Sequence, residues 1–111
     1  MVNSNNLEQS VQSLPLQSYY DSKNFDDELK AIWQKEWIYT CHEKSIKDPL
    51  DFITIQISNY NIVILRDKNN QLVAYLNTCR HRGSILCEEA SGKLKNNLLV
   101  CKYHQWSYNA S

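Results

Sequence analysis

The sequence predicts a mainly β, antiparallel domain preceded by one α-helix, and three observations carry that prediction. One stretch has helical periodicity: Phe25, Leu29, Ile32 and Trp33 recur at i, i+4, i+7 and i+8, which puts them on one face. From residue 52 onward the period shortens to two, in brief runs rich in Ile, Val and Tyr that are punctuated by Asn, Asp and Ser. At 111 residues the chain suffices for one domain with a modest core and is too short for two comfortable ones.

Residues 1–18 are rich in Asn, Ser and Gln, contain Pro15 and show no sustained period, so they are expected to form a mobile N-terminal arm, with one domain over residues 19–111. The helix is expected over about residues 22–37. Ser22 or Asn24 would cap it, with Asp26, Asp27 and Glu28 in the first turn and Lys35 near the last, the charge order the helix dipole favours. Trp33 and Trp37 read as packing residues, and Lys23, Asp26, Asp27 and Lys30 as a solvated face. Beyond the helix, residues 37–41 are β-prone and Asp48-Pro49 is a turn signal. Strands are then expected at Phe52–Ile57, Ile62–Arg66 and Leu72–Asn77. The turns Ser58-Asn59-Tyr60-Asn61 and Asp67-Lys68-Asn69-Asn70 join them into a meander. A further hairpin is expected over Ala90–Asn97, where Ser91-Gly92 and Asn96-Asn97 read as turns.

Composition excludes several classes. Hydrophobic residues make up 42% and charged residues 22%, ordinary for a folded globular chain. Twelve Lys and Arg balance twelve Asp and Glu, so no basic field is present to gather a nucleic acid. Apolar runs such as Ile62–Leu65 and Leu98–Cys101 fall far short of the ~20 residues that span a bilayer. The first thirteen residues lack the basic and apolar regions of a secretory signal, so a cytoplasmic location is expected, with neither nucleic acid nor membrane as partner. In a reducing cytosol, four cysteines read as metal ligands or free thiols rather than as disulfides.

Two cysteines stand beside two of the three histidines, in Cys79-Arg80-His81 and Cys101-Lys102-Tyr103-His104. Nineteen residues separate His81 from Cys101, enough for a hairpin to bring the two loops together. Thiolate and imidazole suit zinc as well as iron–sulfur clusters, so a structural zinc-binding module remains an alternative. A Cys-x-His spacing is tight for two bonds to one tetrahedral ion and fits a wider target better. In a Rieske-type [2Fe–2S] cluster the cysteines hold one iron and the histidines the other, so each loop reaches both metals. Isolated Cys41 and Cys87 read as small core residues, and His42 as a surface or turn residue.

Cys-Arg-His-Arg-Gly at 79–83 and Cys-x-Tyr-His-x-Trp-x-Tyr at 101–108 resemble the Rieske motifs of ring-hydroxylating oxygenase large subunits. Tyr19-Tyr20, Glu36-Trp37 and Asp51-Phe52 are similar to that family's N-terminal region, so the resemblance covers about residues 19–110. It implies a Rieske-type antiparallel β-sandwich holding a [2Fe–2S] cluster on Cys79, His81, Cys101 and His104. Arg80, Arg82, Tyr103 and Trp106 would surround those ligands. The implied work is one-electron transfer, as the Rieske segment of an oxygenase or as a free-standing Rieske ferredoxin. The implied partners are an electron-donor reductase or ferredoxin and a mononuclear-iron catalytic domain, on another chain or in a lost C-terminal part.

Two departures from the family pattern stand out: Lys102 where Pro is usual and Gln105 where Gly is usual, in the loop that would hug the cluster. A glycine there commonly serves φ > 0 or close backbone approach. After His104 there is no further histidine for a second iron site, so the chain alone is expected not to hydroxylate a substrate, and is read as a truncated or split subunit lacking closing strands. Gln105-Trp106 offer no hydroxyl directly after His104, and the resemblance to oxygenases accordingly implies the lower part of the Rieske range of about −150 to +300 mV.

Overall fold

Turn chemistry organises most of the observed sheet in the computed structural model, which describes residues 13–111. Strands β1 (Asp51–Ile57) and β2 (Tyr60–Arg66) pair antiparallel across a two-residue turn in which Ser58 takes a positive φ. Between β2 and β3 (Leu72–Leu76), Asp67 Oδ1 accepts from the N–H groups of Asn69 and Gln71, both at 2.8 Å, and Asn70 adopts φ +67°. These are the turns that the Asp, Asn and Ser runs predict, and the meander β1-β2-β3 follows as expected.

The expected 90–97 hairpin does not form. Strand β4 (Ser91–Lys93) instead pairs antiparallel with β1, giving the order β3-β2-β1-β4. Gly92 lies over Phe52 so closely that an added Cβ would stand 3.0 Å from the ring, which explains glycine here. Strands β5 (Leu98–Val100) and β6 (Ser107–Asn109) form a separate antiparallel pair, so the hairpin that carries the second motif is 98–109. The two sheets share one core: Phe52, Val63 and Leu65 from the first, Leu99 from the second, with Leu86, Cys87, Cys79, Cys101 and Ala110 between. The architecture is the mainly antiparallel β fold the sequence implies.

The chain divides into two compact units, one ending at Trp37 and one starting at Ile38. Among the described residues the α-helix falls in the first and every strand in the second. Of the arm expected over 1–18, residues 1–12 lie outside the described residues and Leu16–Tyr19 make a 3-10 turn. Helix α1 (Ser22–Glu28) is capped by Asp21, whose carboxylate accepts from Lys23 N–H at 2.9 Å, so the cap lies one residue before the earliest expected position. The acidic residues consequently sit one turn in, where Asp27 pairs with Lys23 at 3.0 Å. A π-helical turn, Leu29–Trp33, ends the helix four residues early, because the Gln34 N–H reaches back to Leu29 and breaks the i to i−4 ladder. Trp37 is exposed and Trp33 partly so.

Residues 37–41 form no strand, since no neighbour among the described residues supplies the ladder bonds that β-propensity alone cannot replace. His42 caps the following 3-10 turn, Glu43–Ile46, by accepting Lys44 N–H on Nδ1 at 3.1 Å, in keeping with a turn residue. Buried Arg66 ties that turn to the sheet by donating to the carbonyl of Ile46 at 2.7 Å and pairing with Glu43 at 3.1 Å. No helix among the described residues is long and apolar enough to cross a membrane.

Candidate metal centre

Each of the two motifs folds into a short loop closed by the same backbone bonds. In residues 79–84 the Gly83 N–H donates to the Cys79 carbonyl at 2.9 Å and the Cys79 N–H donates to the Ser84 carbonyl at 2.7 Å. In residues 101–106 the Gln105 N–H donates to the Cys101 carbonyl at 2.9 Å and the Cys101 N–H to the Trp106 carbonyl at 2.8 Å. Both frames require a left-handed residue four positions after the cysteine. Gly83 supplies φ +73° and Gln105 supplies φ +63°. The position singled out by the departure from glycine is therefore one where an L side chain is strained, at roughly 1 kcal/mol.

The loops hold their donors in two layers. Cys79 and Cys101 are 3% and 2% exposed and belong to the core, where the Cys101 thiol lies within hydrogen-bonding reach of Cys79. His81 and His104 are exposed, their ring centroids 4.8 Å apart and their planes at 76°. Trp106 stacks on His81 at 4.8 Å with an 8° interplanar angle, and Tyr103 leans on His104 at 4.0 Å. Four aromatic rings thus run in one row across the surface, with the thiol pair buried. Among the described residues no three His, Cys, Asp or Glu side chains close around a single-ion position. The four donors are split two and two, sulfur inside and nitrogen outside.

Arg80 and Arg82 expose their side chains and contribute through the backbone. The Arg80 N–H donates to the Tyr108 hydroxyl at 3.0 Å, while the N–H of Arg82 points to the Cys79 sulfur. In the other loop the Tyr103 N–H donates to Cys101 Sγ at 3.1 Å. Sequence reasoning did not assign Tyr108 a role, although it closes the second motif. Its hydroxyl oxygen accepts from Arg80, which leaves its proton free for Cys79 Sγ at 3.2 Å. A hydroxyl therefore does reach a site sulfur, from β6 rather than from the residues directly after His104.

That hydroxyl is the largest influence holding the Cys79 thiol below its ordinary value. Burial opposes it, and the His81 N–H, the Cys101 thiol and the Arg82 N–H reinforce it. Tyr108 is pushed up in turn, chiefly by the same bond. By contrast, burial pushes the Cys87 thiol up to about 11, as befits an inert core residue, while Cys41 is half-buried. Lys102 donates to Glu88 at 2.6 Å, so the side chain in place of proline ties the second loop to residues 88–89.

The chemistry of this donor set fits a two-iron cluster with thiolates on one metal and imidazoles on the other, since each iron would meet one kind of donor from both loops. Comparison with known proteins points to the same type of cluster. Residues 36–111 match the family described as Rieske [2Fe-2S] domain. The chain is 38% identical over 100 residues to the glycine betaine monooxygenase oxygenase subunit of Chromohalobacter salexigens, covering 90% of this chain and 22% of that one. It is 37% identical over 86 residues to the anthranilate 1,2-dioxygenase large subunit of Acinetobacter baylyi, covering 78% of this chain and 18% of that one. Among solved structures, a quaternary ammonium Rieske monooxygenase with bound γ-butyrobetaine superposes with a TM-score of 0.81 at 40% identity, covering 86% of this chain and 27% of that one. The chain thus spans about a fifth of the length of the curated relatives it matches.

Proposed function

The chain belongs to the Rieske [2Fe–2S] domain family, and we propose that it holds its cluster with Cys79 and Cys101 on one iron and His81 and His104 on the other. The observation that carries this assignment is the two-layer arrangement of a buried thiol pair beneath an exposed imidazole pair. When bound, the cluster supplies a one-electron acceptor and donor. The residues of the chain set its surroundings. Core packing around the thiols excludes water, and the Tyr108 hydroxyl with the N–H groups of Arg82 and Tyr103 stabilises negative charge on sulfur. Trp106 and Tyr103 hold the imidazole planes on the exposed side of the site, where an electron would enter or leave.

The likeness to oxygenase subunits supports a role as the electron-transfer segment of a Rieske non-haem iron oxygenase. Its partners would be a reductase or ferredoxin and a catalytic domain bearing a mononuclear iron. The chain reconstituted anaerobically with iron and sulfide should bind two irons and two sulfides. It should turn red-brown and, once reduced, show a rhombic EPR signal with average g below 2. One colourless zinc per chain would sink the assignment.

A further inference from the structure

We propose that Asn77 is a positioning residue for the first ligand loop, fixing where Cys79 and His81 stand by clamping together the two ends of the segment that carries them. The inference rests on the ligand assignment above. Asn77 is 0% exposed, directly after β3 and two residues before Cys79. Its Oδ1 accepts the Cys87 N–H at 2.8 Å, and its Nδ2 donates to the Cys87 carbonyl at 2.7 Å and to Asn61 Oδ1 at 2.8 Å. Both amide hydrogens are used, and a flipped carboxamide would set donor against donor, so one orientation alone serves.

The carboxamide does here what a strand neighbour does elsewhere. The second loop stands on three paired rungs, Leu98 with Asn109, Leu99 with Tyr108 and Val100 with Ser107. The first loop has no such hairpin. Its rungs are the Cys79–Ser84 backbone bond, the isolated bridge between Thr78 and Ile85, and outermost the Asn77 side chain on the backbone of Cys87. Asn61 anchors that clamp to the sheet, since its carbonyl accepts the Asn77 N–H at 2.8 Å and its own amide donates to Gln56 at 3.1 Å. Of the ordinary side chains, Asp keeps the reach but loses both donors, Ser is too short to bridge to Cys87, and Gln is too long for a fully enclosed site.

The test compares the full chain with N77D and with I46A, which cuts a buried side chain of the Glu43–Ile46 turn, outside the core cluster that holds Cys79, Cys87 and Cys101. After anaerobic loading, N77D should lose its cluster to a chelator about tenfold to a hundredfold faster than the native chain, with altered g values in the reduced EPR spectrum. I46A, compared at the same fraction of its own urea midpoint, should keep the native g values and loss rate. In the metal-free chain the Cys79 and Cys87 amide protons should exchange about tenfold faster in N77D than in I46A at matched global stability. Should N77D fail to fold, N61A removes one of the three side-chain bonds and should shift the same readouts less far. The proposal is overturned if N77D or N61A shows native g values, or matches I46A in both cluster loss and amide exchange. A native chain that takes up no iron refutes the ligand assignment instead, and the metal-free exchange still judges the clamp.

Discussion

The loops 79–84 and 101–106 share one hydrogen-bonded frame and fill it with different residues. Both begin with a core cysteine whose carbonyl and N–H are bonded across the loop, and both need a left-handed residue at the fifth position. The histidine comes third in the first loop and fourth in the second, yet the two imidazoles meet at 4.8 Å. The frame is thus set by the backbone and the donor position is adjustable within it. What differs is how each loop is supported: a buried side chain holds the first, whereas strand pairing and an exposed ion pair hold the second.

The largest effect should come from removing a buried donor. Either Cys79→Ser or Cys101→Ser should abolish cluster binding, read as loss of iron, colour and EPR signal. An equal loss from both would confirm that the loops serve one centre, and a C101S chain that retained a native spectrum would separate them. Tyr108→Phe comes next, because that hydroxyl reaches from the second hairpin into the first loop. One hydrogen bond to a ligand sulfur should be worth roughly 20–60 mV, so the midpoint potential falls by that amount in a voltammetric titration. An unchanged potential would show that the hydroxyl does not favour the reduced state.

A smaller pair of effects tests the shared fifth position. Gly83→Ala should destabilise the chain by roughly 1 kcal/mol in urea denaturation, since φ +73° is unfavourable for an L residue even though nothing lies within 4 Å of the added methyl. Gln105→Gly should relieve the same strain in the second loop and stabilise by up to about 1 kcal/mol, less the flexibility glycine adds to the unfolded chain. Opposite signs sharpen the comparison, and equal signs would break it. Smallest of all, Lys102→Gln should accelerate cluster loss slightly at low salt and not at all in 1 M salt, because the Glu88 pair is exposed and screened.

The sequence revealed the two motif loops more fully than it revealed the strand pairing. Mixed Cys-His spacing is a local signal, and so is the turn chemistry of Asp67 and Asn70, which is why the loops and the first three strands could be read directly. The pairing of Ser91–Lys93 with β1 is settled by contacts some forty residues apart, and three-residue strands carry too little periodicity to announce a partner. Residues 37–41 show the converse, a β-prone run left unpaired among the described residues. The strain at Gln105 was legible because a glycine position is a statement about φ. The reach of Tyr108 was not, since it depends on how β6 is set against the first loop. Asn77 carries no motif at all; its importance lies in being enclosed.

Because Cys79 and Cys101 are counted among the residues that fill the core, the order of assembly matters for this domain. Iron and sulfide can reach those sulfurs from more directions while the β-structure is open than after both thiols have been buried in the packed core. Cofactor insertion and the final collapse of the β-structure therefore compete in time. A cell that supplies clusters late would meet a finished domain whose inner donors are already packed away.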